Sequence, residues 1–408
     1  MYLRCSVSQC GAELDLHDRA LACPRCGDLL EVVVDKVALD PPALKRQWRE
    51  RRLSCDPRDV SGVWRFRDFL PEYPAGTVVT LGEGNTPLVR GHKTAKFAGL
   101  RTLWFKHLGW NPTSSFKDLG MTVGMTEANF VGTKAVGCAS TGNTSASLAA
   151  YAARAGLIAK VYLPAGQISM NKLAQALDYG AELIEIPGSF DDALNALLES
   201  VNPDLYFLNS INPFRLEGQK TAMFELLEQL AWNIPDYLIV PGGNLGNSSA
   251  FGKAFEELKK FGLVEKVPKM IVVQAAGANP FARMWRAGSR QLVPVDKPET
   301  VATAIRIGNP RSWKKSLRGV EFTGGFVMDV TDEEIGEAKA MIGQDGIGCE
   351  PASATTLAGL RKLRSEGTID PDAVVVAVLT GHVLKDTDFI IKHRKKPESR
   401  EAAEVHAK

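Results

Sequence analysis

The feature that most constrains the fold is an alternation of two hydrophobic patterns between about residue 100 and residue 385. Short runs rich in β-branched residues are separated by Ala- and Leu-rich segments with helical periodicity. This strand–helix–strand rhythm predicts an α/β fold with parallel sheets flanked by helices, in which ligands bind at the carboxyl ends of strands. The predicted strands are Ala135–Cys138, Ala159–Leu163, Ala181–Ile186, Tyr237–Val240, Met270–Gln274 and Ala373–Leu379.

Charge and hydropathy exclude several classes of partner. The 408 residues include 49 Lys and Arg against 47 Asp and Glu, a formal net charge of +2. This balance gives no electrostatic reason to expect nucleic acid or membrane partners. The first residues lack the apolar core of a secretory signal, and no apolar stretch approaches the 18 or so residues of a transmembrane helix. We therefore expect a cytoplasmic protein.

A lysine lies where a helix is predicted to begin. Asn111–Asp118 combines a turn and helix-capping residues ahead of an apolar helical pattern, which places Lys117 in the first helical turn. The helix dipole disfavours a cation there and lowers the lysine pKa, and a neutral amine is what Schiff-base chemistry needs. The segment alone is also compatible with a surface lysine offset by Asp118.

Two further segments combine a strand, a loop rich in small residues and a helix. Gly242–Asn247 follows the strand at Tyr237, and its glycines allow backbone N–H groups to converge on an anion without a lysine. Ala139–Ser147 offers hydroxyls and an amide at a second helix start. A plain glycine-rich turn and a plain capping run remain open for these segments.

Two other loops offer polar side chains. Arg215 follows Asn209-Ser210 and carries a guanidinium suited to phosphate or carboxylate, although a lone loop arginine is usually solvated. Thr380 places a hydroxyl at the end of a predicted strand. A packing or capping role is favoured for His382 over a catalytic one.

The first 26 residues hold four of the seven cysteines. Cys5 and Cys10 form one pair, and Cys23 and Cys26, in a Cys-Pro-Arg-Cys-Gly knuckle, form the other. Four thiolates so spaced suit tetrahedral Zn²⁺, which predicts a structural zinc-ribbon-like module; a metal-free, degenerate module is the alternative. Residues 1–40 carry four basic and seven acidic side chains, the wrong sign for binding nucleic acid.

Taken together, these segments resemble the threonine synthases, which are tryptophan-synthase-type (fold type II) pyridoxal-phosphate enzymes, over most of residues 75–390. Three stretches resemble the threonine synthases more than the dehydratases or cysteine synthases of the same fold: NSINPFRLEGQKT (209–221), TAIRIGNP (303–310) and CEPASA (349–354). One departure is Ser114, which stands where the family usually has glycine.

The resemblance implies a role for each candidate residue. Lys117 would carry pyridoxal 5′-phosphate as a Schiff base, Asn143 would lie beside the ring hydroxyl and Thr380 would hydrogen-bond the pyridine nitrogen. The cofactor phosphate would be held by Gly243, Asn244, Leu245, Gly246 and Asn247. The substrate phosphate would be bound by Ser140, Thr144, Ser210, Arg215 and Asn244.

The implied reaction converts O-phospho-L-homoserine and water to L-threonine and phosphate, by γ-elimination and β-addition of water. The resemblance also implies a two-lobed chain and a homodimer. The expected parts are a zinc-ribbon-like module at 1–40, a helical arm at 41–75, a large cofactor-binding domain at 76–119 and 221–390, a small domain at 120–220, and a charged tail at 391–408.

Other functions remain open at this point. A cysteate-synthase-like enzyme acting on phosphoserine would differ only in pocket length, and a threonine or serine dehydratase would need no second phosphate site. Ser210 and Arg215 therefore favour a phosphorylated substrate. A remote alternative is a non-catalytic zinc-ribbon regulator built on a retired enzyme fold, against which the retention of Lys117 argues.

Overall fold

The computed structural model describes residues 1–165, 170–188, 190–199, 202 and 204–393. The strands are β1 (Tyr2–Cys5), β2 (Glu13–Leu14), β3 (Leu30–Val33), β4 (Leu88–Arg90), β5 (Thr102–His107), β6 (Ala135–Ala139), β7 (Ile158–Pro164), β8 (Glu182–Ile186), β9 (Leu205–Phe207), β10 (Tyr237–Pro241), β11 (Lys269–Ala275), β12 (Phe326–Val330) and β13 (Val374–Leu379). The helices are α1 (Pro41–Arg51), α2 (Pro57–Val60), α3 (Lys93–Ala98), α4 (Lys117–Phe130), α5 (Asn143–Ala155), α6 (Met170–Asp178), α7 (Phe190–Glu199), α8 (Pro213–Gln229), α9 (Gly246–Lys260), α10 (Pro280–Arg286), α11 (Trp313–Phe322), α12 (Asp332–Gln344), α13 (Pro351–Ser365) and α14 (Thr387–His393).

Two sheets form the body of the molecule. One has six strands in the order β12-β11-β10-β13-β5-β4, and the other has four in the order β8-β7-β6-β9. Every pairing in the four-stranded sheet is parallel, and so is every pairing in the larger sheet except that of β4 with β5. The predicted α/β class is thus confirmed, and the antiparallel edge strand β4 makes the larger sheet mixed rather than wholly parallel.

All six predicted strands are present, whereas β4, β5, β9 and β12 were not predicted. In β5, Lys106 interrupts the apolar pattern, yet its side chain is fully buried because it pairs with Glu225. In β12, Asp329 likewise interrupts the apolar pattern. It is buried, and its carboxylate is paired with the Arg286 guanidinium at 2.8 Å. Strand β9 is only three residues long. Partners distant in sequence therefore decide whether these short, polar-containing segments become strands.

The amino-terminal module is a three-stranded antiparallel sheet in the order β2-β1-β3. Strand β3 faces helices of the main body: Lys253 donates to the Val32 carbonyl and Lys315 to the Leu30 carbonyl. Glu31 forms a two-point ion pair with Arg318, which holds the pKa of this buried carboxyl at about 2 against the effect of burial. The module is thus attached to α9 and α11 by buried polar contacts.

The segment after the module packs through aromatic rings. Trp48 of α1 is fully buried, with its ring 4.9 Å from that of Phe66 and stacked 5.7 Å from Phe224 of α8. These ring contacts pack α1 against α8 of the body. At the other end, α14 reaches His393; the predicted charged tail falls, from residue 394 onward, outside the described residues. Among the described helices, none is long and apolar enough to cross a bilayer.

Candidate active site

The loop before α4 is joined to the end of β13 by backbone hydrogen bonds. The amide of Phe116 donates to the Thr380 carbonyl at 2.9 Å, and the amide of His382 donates to the Ser114 carbonyl at 3.0 Å. Lys117 is the first residue of α4, and Thr380 directly follows β13. These two predicted site residues therefore lie together at the carboxyl end of the larger sheet.

The surroundings of Lys117 favour a neutral amine. Burial, with a smaller contribution from the charge of Arg215, lowers the pKa of Lys117 to about 7. The adjacent Asp118 does not act as a surface counter-charge: it is fully buried and accepts hydrogen bonds from the amide and hydroxyl of Thr113 at 2.7 and 2.6 Å. It also accepts one from the Ser147 hydroxyl at 2.6 Å. Asp118 thus fixes the lysine loop to α5.

The glycine-rich loop between β10 and α9 has the backbone shape of an anion site. Leu245, at the helix N-cap, adopts a left-handed φ of 64° and makes no side-chain capping hydrogen bond. A Cβ on Gly243 would lie 3.0 Å from Cγ2 of Ile305, so the loop has room for little beyond glycine there. A curled loop that ends in an uncapped helix start directs N–H groups outward, as an anion requires.

The Asn244 side chain fastens this loop to neighbouring segments. Its amide group donates to the Ser210 hydroxyl, and its oxygen accepts from the Arg311 amide at 2.7 Å. Asn247, nearly buried, accepts from the Ser248 amide at 2.8 Å. The predicted residues Ser210 and Asn244, which are 34 positions apart, are therefore in direct contact.

Arg215 is a fully buried guanidinium with unused donors. One Nη1 hydrogen bond reaches the Leu208 carbonyl at 3.1 Å. Within the described part of the chain, Nε and Nη2 have no hydrogen-bond partner, and burial lowers the pKa of this guanidinium to about 10. A buried cation with free N–H groups is costly unless an anion binds it. The solvated loop arginine considered from sequence is therefore wrong.

A buried carboxyl that was not predicted connects two predicted residues. Oε2 of Glu350 accepts from the Asn143 side chain at 3.0 Å, and Oε1 lies 3.1 Å from the Thr380 hydroxyl oxygen, within hydrogen-bond distance. The Ser353 hydroxyl lies 3.0 Å from that of Thr380. Glu350 and Ser353 belong to the CEPASA stretch, where an acidic residue directly before a proline-started helix was the available signal.

The remaining predicted residues lie at the start of α5. The Ser140 hydroxyl accepts from the Gly142 amide at 3.2 Å, and Thr144 is the second residue of the helix. Both are partly exposed, and within the described part of the chain neither forms a hydrogen bond with Arg215. The His382 side chain accepts from the Leu384 amide at 3.3 Å and so caps a short helix, as the sequence favoured.

Comparison with known proteins decides the family. Residues 79–381 match the model of the pyridoxal-phosphate dependent enzymes. The chain is 46% identical over 391 residues to a threonine synthase of Methanocaldococcus jannaschii, covering 95% of this chain and 94% of that one. It is 46% identical over 345 residues to a threonine synthase of Synechocystis, covering 83% and 87%. The chain belongs to the threonine synthase family of pyridoxal-phosphate-dependent enzymes.

The fold of this threonine synthase family member agrees with solved structures. Threonine synthase from Escherichia coli superposes with a TM-score of 0.71 at 19% identity, covering 98% of this chain and 93% of that one. An L-serine ammonia-lyase from Rhizomucor miehei gives 0.65 at 22% identity, covering 77% and 98%. At such identities these likenesses bear on the fold alone, and they confirm fold type II.

The residues present fit pyridoxal phosphate. A lysine whose pKa is lowered to about 7 lies at the same edge of the sheet as a glycine-rich anion loop and a strand-end hydroxyl. Lysine is the residue that carries this cofactor, and an uncapped helix start suits its phosphate. Burial explains the neutral amine better than the helix dipole alone, because it is the largest cause of the lowered pKa.

The four amino-terminal cysteines converge. Their sulfur atoms all lie within 4.8 Å of one another, with Cys5 and Cys26 at 3.4 Å and Cys10 and Cys23 at 3.6 Å. A tetrahedral zinc ion with Zn–S bonds near 2.3 Å separates its sulfur ligands by about 3.8 Å. Cysteines that lie on two turns 13 residues apart therefore come together at a spacing that suits one metal ion.

Ser114 keeps a glycine-like backbone in the lysine loop, with φ of 66°. We expect Ser114→Gly to raise the free energy of unfolding by up to about 1 kcal/mol, because relief of left-handed strain exceeds the added entropy of the unfolded chain. Ser114→Ala, the matched control, keeps the strain and should give no gain. Urea unfolding measures the stability of both variants. A glycine variant less stable than the alanine variant would show that the left-handed backbone at residue 114 is not strained.

Proposed function

We propose that this chain is a threonine synthase that converts O-phospho-L-homoserine and water to L-threonine and phosphate. The observation that carries the proposal is the buried guanidinium of Arg215. Its Nε and Nη2 are unpaired among the described residues, and its charge helps to lower the pKa of Lys117. A second anion site beside the reactive lysine suits a substrate that is itself phosphorylated. The family membership given above supports the same activity.

In this proposal the chain holds the cofactor at four places. Lys117 would bind it covalently, Gly243–Asn247 would hold its phosphate, Asn143 would lie at the ring hydroxyl and Thr380 would lie at the pyridine nitrogen. When bound, the cofactor withdraws electrons from the carbons next to the substrate amine and so makes their protons acidic. The left-handed Leu245 and the lack of room for a Cβ at Gly243 beside Ile305 support the phosphate assignment.

Lys117 moves the protons. Its Nζ, once free, takes the proton from Cα of the substrate and exchanges protons at Cβ, and an amine does this only when neutral. Because burial lowers its pKa to about 7, the neutral fraction grows as the pH rises through 7. The loop contacts of Asp118 hold the first turn of α4 in place while Nζ changes partners.

The substrate phosphate is bound, in this proposal, by Arg215 together with Ser140, Thr144, Ser210 and Asn244. Arg215 neutralises the phosphate until it leaves from Cγ, and its buried position keeps water from that charge. Ser210 and Asn244 are already in contact, so one phosphate can reach both. Water then adds at Cβ.

From the resemblance we also propose that the protein is a homodimer. From the sequence we propose that it acts in the cytoplasm.

The decisive experiment follows threonine and phosphate together after O-phospho-L-homoserine is added to the cofactor-loaded protein. We expect equal amounts of both products. Lys117→Ala should give neither, because it lacks the group that moves the protons, and it should also lose the absorbance of lysine-bound cofactor. Far-ultraviolet circular dichroism checks that the variant is folded.

The two rival enzymes give different results in the same assay. Turnover of phosphoserine with sulfite, without threonine from phosphohomoserine, would replace the proposal by a cysteate-synthase-like activity. Turnover of free threonine or serine alone would replace it by a dehydratase. Neither result would alter the fold or the cofactor.

Arg215 is expected to act on the substrate and not on the cofactor. We expect Arg215→Ala to lower kcat/KM for O-phospho-L-homoserine about 10- to 100-fold, the loss of one or two hydrogen bonds to a charged group, with the cofactor absorbance kept. Arg101→Ala, at an exposed arginine, is the matched control and should leave kcat/KM unchanged. Parallel loss of cofactor and activity in Arg215→Ala would contradict the assignment.

We further propose that Cys5, Cys10, Cys23 and Cys26 bind one structural zinc ion. Four thiolates leave no open coordination position, so this metal would stabilise the module and take no part in the reaction. The buried contacts of Glu31, Lys253 and Lys315 would then join a metal-supported sheet to the body.

Metal analysis tests the zinc proposal. We expect one zinc per chain in the purified protein and much less than one in Cys26→Ser, with a lower melting temperature because metal binding is coupled to folding of the module. Cys55→Ser, at an exposed cysteine outside the cluster, is the control and should keep the metal. Four freely titrating thiols in addition to Cys55 in the untreated protein would refute the zinc site.

A further inference from the structure

Glu350 occupies a position that the proposed function leaves unused. Its side chain is 3% exposed, and its two oxygens reach Asn143 and Thr380, at 3.0 and 3.1 Å. These are the residues proposed to lie at the ring hydroxyl and at the pyridine nitrogen. A Cβ on Gly381 would come within 2.6 Å of the Glu350 carboxyl, so the carboxyl is held tightly against the end of β13.

The hydrogen bonds of Ser353 fix the role of the Thr380 hydroxyl. The Ser353 oxygen accepts from the amides of Thr380 and Gly381, at 2.8 and 3.2 Å. A hydroxyl oxygen has two lone pairs, and both are then used. The Ser353 hydrogen must therefore be donated, and the Thr380 oxygen lies 3.0 Å away to accept it. Thr380 is left with one lone pair and its own hydrogen.

The protonation state of Glu350 decides where that remaining hydrogen points. If the carboxyl is ionised, it only accepts, and Thr380 must donate to it. Thr380 then has no hydrogen to offer to a neighbouring nitrogen. If the carboxyl is protonated, it donates to Thr380 and fills the last lone pair. The Thr380 hydrogen is then free to be donated to an unprotonated pyridine nitrogen.

Burial shifts Glu350 toward the protonated form. Burial raises the pKa of this carboxyl, and the bonds from Asn143 and Thr380 oppose the shift only in part. The charged groups that face it, Lys385 in the turn after β13 and Lys117 at the start of α4, also lower its pKa and so oppose the effect of burial without cancelling it. The neighbouring Cys349 thiol is also buried, and its pKa is raised to about 12, so it stays neutral.

We propose that Glu350 is a positioning residue that controls, through the Thr380 hydroxyl, whether a hydrogen bond is donated to the pyridine nitrogen of the cofactor. The inference rests on the proposed function, since it needs Thr380 at that nitrogen. A protonated Glu350 keeps the resting nitrogen hydrogen-bonded and unprotonated. Loss of the Glu350 proton turns the hydroxyl away and leaves the nitrogen without its donor.

The test uses the holoenzyme reconstituted with pyridoxal phosphate labelled with ¹⁵N in the ring. The ¹⁵N resonance of the unsubstituted protein should be that of an unprotonated, hydrogen-bonded nitrogen at low pH. It should move, as the pH rises through the raised pKa of Glu350, toward the position of a nitrogen with no donor. No substrate is present, so the result does not depend on which reaction the enzyme catalyses.

Two variants should fix the resonance at opposite limits. Glu350→Gln keeps a donor to Thr380 and an acceptor for Asn143 but cannot ionise, so its resonance should stay at the low-pH position throughout. Thr380→Val lacks the hydroxyl, so its resonance should stay at the high-pH position. Thr380→Ser restores the hydroxyl and should titrate as the unsubstituted protein does.

Several outcomes would overturn the inference. One is a protonated ring nitrogen in the unsubstituted protein. Another is a pH-dependent shift of the ¹⁵N resonance that persists in Glu350→Gln. A third is a shift that disappears in Asp118→Asn while Glu350→Gln retains it. Titration that persists in Thr380→Val would overturn the placement of Thr380 at the ring nitrogen, and this inference with it. Threonine synthase activity would still be judged separately, by product formation.

Discussion

The pairing of the lysine loop with the end of β13 is the constraint on which the site depends. Two backbone hydrogen bonds, from Phe116 to Thr380 and from His382 to Ser114, bring together segments more than 260 positions apart. They set the start of α4, and with it Lys117, against the strand end that carries Thr380. Because both bonds use backbone atoms, the arrangement tolerates serine at 114, although its φ of 66° favours glycine.

Burial is the main physical cause of the chemistry proposed for this site. It lowers the pKa of Lys117 to about 7 and that of Arg215 to about 10, and it raises the pKa of Asp118 to about 6. The carboxyl of Asp118 is satisfied by hydroxyl and amide donors, whereas the guanidinium of Arg215 keeps unused donors. The guanidinium that keeps unpaired donors within the described part of the chain is the one proposed to bind the substrate phosphate.

Much of the site was predictable because local signals coincide with strand ends. The glycine-rich loop, the helix start at Lys117 and the hydroxyl at 380 each follow a turn signal or a β-branched run, and parallel strands bring such ends to one edge. Glu350 and Ser353 were not predicted, because their importance lies in side-chain contacts with Asn143 and Thr380. Likewise β5 was missed because the burial of Lys106 depends on Glu225, which is far along the chain.

The sequence by itself determined the α/β class, the family resemblance, the lysine and glycine-loop motifs and the cysteine pairs, because each depends on neighbouring residues or on a fixed spacing. Only the tertiary structure decided that Arg215 is buried with donors unpaired among the described residues, that four cysteine sulfurs converge within 4.8 Å, and that Glu350 links Asn143 to Thr380. The physical reason is that burial and hydrogen-bond completion are set by groups brought together from distant parts of the chain.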